Sequence, residues 1–204
     1  MPKVKAKRPI TLDRVIPWML VVGGVIGLVC SFIISLDKLR LLQNPNFKPN
    51  CDLNPVVSCL SVMASKQGSV FGFPNPWIGL AGFAVLIAVG MAILAGAKFK
   101  RWFWLGLEAG ITLNLIFAYW LLYESVYTIH ALCPYCLAVD VVVITLFWYT
   151  TLFLVDEKLL KLPGSWAKAA AFARRHHFDI LVVWFLITIV IILKHFWYYY
   201  SRFL

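Results

Sequence analysis

The stretch VIPWMLVVGGVIGLVCSFIISL, residues 15–36, carries no charged side chain over its whole length. A helix that crosses the apolar core of a bilayer, about 30 Å thick, needs about 20 such residues. Residues 77–97 form a second uncharged run, and residues 102–123 and 137–155 each contain a single acid. Residues 180–199 hold one charge, a lysine whose long side chain can reach the membrane surface. We therefore predict five transmembrane helices, with a helix lying in the membrane interface as the alternative for the fifth.

The composition excludes two other classes of protein. Hydrophobic residues make up 62% of the chain and charged residues 14%, whereas soluble domains have roughly 45–50% and about 25%. A soluble domain of this size could not bury so much apolar surface, and intrinsic disorder requires low hydrophobicity. The composition predicts an all-α integral membrane protein, with one membrane domain over residues 1–204.

The basic residues indicate the orientation of the chain. The net charge of +10 lies in short clusters between the apolar runs, which is typical of membrane flanks and not of a nucleic-acid-binding groove. With a cytoplasmic N-terminus, the inner side holds 13 of the 19 basic residues, namely Lys3, Lys5, Lys7, Arg8, Arg14, Lys98, Lys100, Arg101, Lys158, Lys161, Lys168, Arg174 and Arg175. The outer side holds Lys38, Arg40, Lys48, Lys66, Lys194 and Arg202. Because cytoplasmic loops are enriched in Lys and Arg, we predict this orientation.

Two cysteine pairs then fall on the outer side of the membrane. Cys51 and Cys59 lie in a long loop, residues 37–76, and Cys133 and Cys136 form a C-x-x-C motif where the fourth span begins. Disulfides persist in compartments outside the cytoplasm. The N-terminus of a helix stabilises a thiolate, which is the species that attacks a disulfide. The two pairs together predict a relay of electrons between thiols and disulfides.

Each cysteine also has a plainer interpretation. The Cys51 and Cys59 pair is compatible with a structural disulfide, and four cysteines could hold a metal ion in a non-enzymatic metal or small-solute carrier. The spacing leaves the resting connectivity of the four cysteines open, including a Cys51–Cys133 disulfide. Cys30 lies inside the first span, where a cysteine is a small buried hydrophobic residue.

Three further titratable residues stand out. Asp140 follows Cys136 by four residues and Cys133 by seven, so all three share one face of a helix. An acid inside a span marks a candidate functional site, here a proton carrier, although a hydrated or paired acid is the alternative. We interpret Glu108 as structural and His130 as an exposed loop residue.

At these residues the sequence resembles the vitamin K epoxide reductase family, and more narrowly its bacterial homologues that drive disulfide bond formation. The matching motifs are Cys51…Ser58-Cys59, Phe71-Gly72, Asn75-Pro76-Trp77-Ile78-Gly79 and Cys133-Pro134-Tyr135-Cys136. The loop pair precedes the C-x-x-C motif, whereas DsbB-like quinone reductases, the alternative family, have the reverse order.

The resemblance implies a fold and a set of site residues. The fold would be a four-transmembrane-helix bundle that holds a quinone of the menaquinone or ubiquinone type, with a peripheral fifth helix. Cys133 would exchange disulfides with the loop cysteines, in the first place Cys51, and Cys136 would face the quinone. Asn75 would donate a hydrogen bond to a quinone carbonyl. Asp140 occupies the position where the vertebrate enzyme places a tyrosine against the quinone.

The resemblance also implies a partner and a location. Some bacterial members carry a thioredoxin-like domain after the fifth span, and because the sequence ends at Leu204 we expect a separate thioredoxin-like, DsbA-like protein on the outer side. We expect a monomer in the plasma membrane of a bacterium. The predicted activity is oxidation of that partner, with electrons passed through the four cysteines to the quinone.

Overall fold

The structure, a computed structural model, describes residues 12–160 and 166–201. Its helices are α1 (Leu12–Gln43), α2 (Cys59–Ala64), α3 (Pro76–Leu94), α4 (Arg101–Glu124), α5 (Pro134–Asp156), α6 (Ala167–Arg175) and α7 (His177–Tyr200). Helices α1, α3, α4, α5 and α7 are long and apolar enough to cross a membrane. The prediction of an all-helical membrane protein with five candidate spans is confirmed. Lys3, Lys5, Lys7, Arg8, Lys161 and Arg202 lie outside the described residues.

Helix α1 is the centre of the packing, with α3 on one side and α5 on the other, and α4 packs against α5. Glycines allow the close approach of α1 to α3. A Cβ atom on Gly27 would lie 2.4 Å from the ring of Phe83, and one on Gly24 would lie 2.7 Å from a side-chain carbon of Ile87. The ring of Phe83 is almost fully buried. The glycines of the first span therefore set the distance between these two helices.

Helix α1 runs beyond the apolar stretch that predicted it and ends at Gln43. The added turns are held by polar contacts: Arg40 pairs with the buried Asp37 at 3.4 Å, and Lys38 Nζ donates a hydrogen bond to the carbonyl oxygen of Met63 at 2.5 Å. The segment between α1 and α3 is therefore shorter than the sequence suggested, residues 44–75. Lys38 also joins α1 to α2.

Helix α3 ends earlier than its apolar run, which extends to residue 97. Gly96 adopts a left-handed backbone conformation with φ of 96°, and its N–H donates to the carbonyl oxygen of Ile93 at 2.9 Å. A glycine in this conformation ends a helix at low conformational cost. Hydropathy alone does not predict that α3 ends before Gly96.

Polar contacts attach α7 to the other helices at several heights. The carbonyl oxygen of His177 accepts a hydrogen bond from the indole N–H of Trp148 at 2.9 Å. Near the middle of the helix, the indole N–H of Trp184 donates to the hydroxyl of Tyr119 at 2.6 Å. A third attachment is apolar packing, since the side chain of Phe196 is 0% exposed and lies in a buried hydrophobic cluster. The helix is therefore fixed along its length and not only through its connection to α6.

Candidate active site

The loop between Cys51 and Cys59 folds back on itself through a turn at Asn54. The side-chain oxygen of Asn54 accepts hydrogen bonds from the backbone N–H groups of Val56 and Val57, at 3.0 and 2.8 Å. The following residue, Pro55, restricts the backbone to conformations that suit a turn. This turn brings Cys51 and Cys59 together, and the two form a disulfide with a Cα–Cα distance of 5.6 Å.

A short parallel pairing joins this loop to the segment that precedes the C-x-x-C motif. Val57 forms an isolated parallel bridge with Leu132. Leu132 N–H donates to the carbonyl oxygen of Val56 at 2.7 Å, and Ser58 N–H donates to the carbonyl oxygen of Leu132 at 3.0 Å. Because the bridge is parallel, the two segments leave it in the same direction, one directly into Cys133 and the other through Ser58 into Cys59.

Both cysteines stand at the start of a helix. Cys59 is the first residue of α2, whose cap is Ser58, with its hydroxyl oxygen accepting a hydrogen bond from the N–H of Ser61 at 3.1 Å. Cys133 is the cap residue of α5, and Pro134 occupies the first helical position. Proline suits this position because the first N–H groups of a helix have no partner within the helix. Both cysteines therefore lie at the N-terminus of a helix, α2 for Cys59 and α5 for Cys133.

The two sulfur atoms are in contact: Sγ of Cys59 lies 3.4 Å from Sγ of Cys133, and both residues are buried. Cys133 and Cys136 are free thiols. The four cysteines thus lie together at one end of the bundle, here called the cysteine end. The bridge between Val57 and Leu132 brings Cys59 into contact with Cys133, whereas the resemblance favoured Cys51 as the exchange partner. Which loop cysteine exchanges with Cys133 stays a prediction.

The surroundings of Cys133 favour its thiolate. A hydrogen bond from the thiol of Cys136 lowers the pKa of Cys133 below its ordinary value, and the backbone N–H groups of Cys136 and Tyr135 act in the same direction. Burial and the negative charge of Asp37 oppose this shift without reversing it. The net direction raises the fraction of Cys133 that is thiolate, the species that takes part in thiol-disulfide exchange.

A cavity of about 120 Å³ extends from the cysteine end into the bundle and is lined by residues of α1, α3, α4 and α5. Its walls are mainly apolar and include Phe83, Phe117 and Leu121. Polar groups that line it include Ser31, Lys38, Asn75, Asn114, Ser125, Cys133, Cys136 and Asp140. An apolar cleft with a few polar groups is the usual form of a small-molecule site.

Asn75, predicted to contact a quinone, lies in the wall of this cavity and is buried. Its side chain also organises the loop before α3. The amide nitrogen donates to the carbonyl oxygen of Gln67 at 2.6 Å, and the amide oxygen accepts from the N–H of Val70 at 3.0 Å. One of the two N–H bonds of this amide is sufficient for the contact with Gln67, so the other can serve a ligand.

The two acids of the spans lie in different places. Asp140 lines the cavity together with Cys136, as their spacing on one helix predicts. Glu108 lies nearer the opposite end, where it accepts a hydrogen bond from the hydroxyl of Thr151 at 2.5 Å. This contact ties α4 to α5 and agrees with a structural role for Glu108.

Several residues of the site were not singled out from the sequence. Lys38 and Asn114 line the cavity from α1 and α4. The sequence offered an indication for Lys38, because it is a lysine two residues beyond an apolar span that ends at residue 36. Asn114 is a single amide inside a long apolar helix, a position where polar side chains are costly unless they have a use. His130 is exposed, as expected, but it also contacts His195 of α7 at 3.2 Å.

The fold and this site define a helical membrane protein whose loop disulfide abuts a C-x-x-C dithiol. The family model that matches the chain is described as the vitamin K epoxide reductase family, and it covers residues 18–151. The chain belongs to this family of membrane oxidoreductases. The matched residues include all four cysteines of the site. A search of curated proteins finds no match to the chain.

Proposed function

We propose that this protein is a quinone-dependent thiol-disulfide oxidoreductase that reoxidises a thioredoxin-like partner and so drives disulfide bond formation. The observation that carries the proposal is the 3.4 Å distance between the sulfur atoms of Cys59 and Cys133. Thiol-disulfide exchange proceeds by attack of a thiolate on a disulfide sulfur, so the two sulfurs must come into contact. The carrier alternative gains no support, because a disulfide between Cys51 and Cys59 leaves neither as a thiolate ligand.

In the first half-reaction, a thiolate of the reduced partner attacks Cys51, and Cys59 leaves as a thiolate. Cys51 is the more accessible of the two, at 7% exposure against 0% for Cys59. The partner's second thiol then displaces Cys51 from the mixed disulfide. The partner leaves oxidised, and the loop holds two reduced cysteines.

In the second half-reaction, the thiolate of Cys59 attacks Cys133 in a Cys133–Cys136 disulfide, and Cys136 leaves as a thiolate at the cavity. Cys51 then attacks Cys59, which restores the loop disulfide and frees Cys133. The result is a Cys51–Cys59 disulfide with free Cys133 and Cys136, which is the redox state of the structure. Two electrons have moved from the partner to the C-x-x-C pair.

The cavity fits a quinone head group, since it offers ring-sized apolar walls from Phe83 and Phe117 and polar groups at its edge. A bound quinone would supply a two-electron, two-proton acceptor for the C-x-x-C dithiol. Cys136 lies on the cavity wall, where its sulfur is the last in the relay. Asn75 would donate a hydrogen bond to the ring carbonyl, and Asp140 would hold and transfer a proton.

The proposal includes a location and an arrangement in the membrane. The cysteine end faces the outside of the plasma membrane of a bacterium, with the N-terminus in the cytoplasm. The distribution of lysines and arginines supports this orientation. Helices α1, α3, α4 and α5 form the bundle around the quinone, and α7 lies at its periphery. The protein acts as a monomer with a separate thioredoxin-like partner.

The proposal is tested by quinone reduction in lipid nanodiscs, with a reduced thioredoxin-fold protein as donor and short-chain ubiquinone or menaquinone analogues as acceptors. We expect thiol-dependent reduction of at least one analogue, and loss of that activity in Cys136→Ala. The matched control is Cys30→Ala, which removes a buried thiol of α1 and should retain activity. Full activity in Cys136→Ala would refute the proposal.

The orientation is tested separately in intact bacterial cells with a membrane-impermeant maleimide. Leu53 is 70% exposed in the cysteine loop, and Trp102 is 70% exposed at the opposite end. With the native cysteines replaced, Leu53→Cys should be labelled from outside and Trp102→Cys only after lysis. The reverse pattern would place the cysteine end in the cytoplasm.

A further inference from the structure

We propose that Phe196 of α7 is a positioning residue for the exchange between the two cysteine pairs. It would act by holding the bridge between Val57 and Leu132 in the register that brings Cys59 against Cys133. This inference rests on the proposed function, because it concerns the internal step of that relay. It gives the fifth membrane helix a role in the reaction.

The evidence begins with the burial of Phe196. Its side chain is 0% exposed, although α7 is an apolar helix that is mostly exposed in the structure and its neighbouring Trp197 is 58% exposed. Phe196 packs in a closed hydrophobic cluster with Val56, Val126 and Leu132. The helix therefore inserts one aromatic ring among the loops of the cysteine end.

The position of that ring is specific. Val56 and Leu132 are the residues whose backbones are joined by the 2.7 Å hydrogen bond of the bridge. Their side chains belong to one buried cluster with Phe196, so this cluster joins the ring to both segments that the bridge pairs. Each segment leads directly into a cysteine of the exchange. A single β-bridge between two segments is weak by itself. The packing of side chains against it therefore determines whether Val57 stays paired with Leu132.

A second contact from α7 fixes the same link. His195 Nε2 and His130 Nδ1 lie 3.2 Å apart, so one ring can donate a hydrogen bond to the other. The edge of the Tyr127 ring packs on His195 with centroids 4.9 Å apart. His130 itself has a left-handed backbone with φ of 57°, where the chain turns toward Cys133. The end of α7 thus holds the 125–133 link at two places.

The packing of Phe196 should affect the effective concentration of the Cys59 thiol at the Cys133 thiol. Reacting groups held in the correct geometry react as if highly concentrated, and a displacement of about 1 Å can cost about a hundredfold. Loss of the Phe196 ring leaves space beneath Val56 and Leu132, so the two segments can shift relative to one another. The Cys59 and Cys133 sulfurs would then be in contact for a smaller fraction of the time.

The test uses the full chain in a Cys51→Ser/Cys136→Ser background, where Cys59 and Cys133 are the two site thiols. Oxidised glutathione converts them to a Cys59–Cys133 disulfide and is itself reduced to two molecules of glutathione. The equilibrium constant of this reaction measures the effective concentration of the two thiols. Neither quinone nor partner is needed, so the outcome is independent of whether quinone reduction occurs.

We expect Phe196→Ala to lower this effective concentration at least about tenfold, and Phe196→Leu, which keeps apolar volume, to lower it less. The matched control is Phe185→Ala, which removes the same ring from α7 where it packs on the main core, and which should leave the value unchanged. An unchanged value in both Phe196 variants would overturn the inference. So would an equal fall in Phe185→Ala, since the effect would then reflect general loosening of α7.

Discussion

Sγ of Cys59 and Sγ of Cys133 lie 3.4 Å apart although 74 residues separate them in the sequence. The contact is supported by backbone hydrogen bonds, because the parallel bridge of Val57 with Leu132 directs both segments the same way, toward Cys59 and Cys133. It connects a disulfide in a loop to a dithiol at the start of a membrane helix. The contact between the two cysteine pairs therefore depends on a pairing of two loop segments.

The pH dependence of Cys133 reactivity should report its hydrogen bond with Cys136. In a Cys51→Ser/Cys59→Ser background, the rate of alkylation of Cys133 should rise with pH to a midpoint below the ordinary cysteine pKa, because the pKa of Cys133 is lowered. Adding Cys136→Ala removes the donor that is the largest cause of the shift, so the midpoint should move to higher pH. Peptide mapping by mass spectrometry measures alkylation at this cysteine alone.

The control for this measurement is Cys136→Ser, which keeps a hydrogen-bond donor at the position and should have a midpoint below that of the alanine variant. Equal midpoints in the alanine and serine variants would show that the hydrogen bond does not stabilise the thiolate.

Replacement of the acid in the cavity should slow quinone reduction without affecting thiol exchange. Asp140→Asn keeps the shape of the side chain but cannot hold and release a proton, so kcat should fall by about a hundredfold, the lower end for a positioned acid–base group. Formation of the Cys59–Cys133 disulfide in the Cys51→Ser/Cys136→Ser background should not change.

The matched control is Glu108→Gln, an equivalent change in the other acid of the spans. Its amide oxygen can still accept the hydrogen bond from Thr151, so activity should persist. The interpretation of Asp140 would be wrong if its asparagine variant were as active as Glu108→Gln.

The glycines of α1 give a prediction about stability. A Cβ atom on Gly27 would overlap the ring of Phe83 at 2.4 Å, and that ring is 1% exposed and lines the cavity. Gly27→Ala should therefore destabilise the protein by about 1–3 kcal/mol, the usual cost of overpacking, and raise KM for the quinone. Thermal unfolding in detergent and steady-state kinetics measure the two effects.

Gly82→Ala on α3 is the control, because no atom lies within 4 Å of the Cβ it adds. That variant should unfold and turn over like the unaltered protein. A Gly27→Ala variant with the same Tm as Gly82→Ala would contradict the close packing of α1 on α3.

The sequence predicted those features of the fold that depend on residues close together in the chain. Five apolar runs predict five candidate spans, since a membrane sets the required length. The C-x-x-C motif followed by an apolar run correctly predicted a helix start at Cys133, and the spacing of Cys136 and Asp140 correctly placed both on one helix face. Helix ends were less predictable, because the stop at Gly96 and the extension to Gln43 depend on backbone conformation and on polar contacts.

The tertiary arrangement of the site could not be deduced from the sequence. The bridge between Val57 and Leu132 has no periodic signal, because it consists of one residue on each side. The contact of Cys59 with Cys133 follows from that bridge, and so it too could not be predicted from the sequence. Phe196 belongs to a run of aromatic residues that suggests a membrane-interface belt, and its burial depends on how α7 packs against the loops.

The central claim, that electrons pass between Cys59 and Cys133, is tested most directly by comparing two double variants under mild oxidation. Cys51→Ser/Cys136→Ser retains Cys59 and Cys133, whereas Cys59→Ser/Cys136→Ser retains Cys51 and Cys133. Disulfide mapping by mass spectrometry should find a Cys59–Cys133 bond formed rapidly in the first variant and mostly free thiols in the second. A Cys51–Cys133 bond that forms as fast as, or faster than, the Cys59–Cys133 bond would contradict the account.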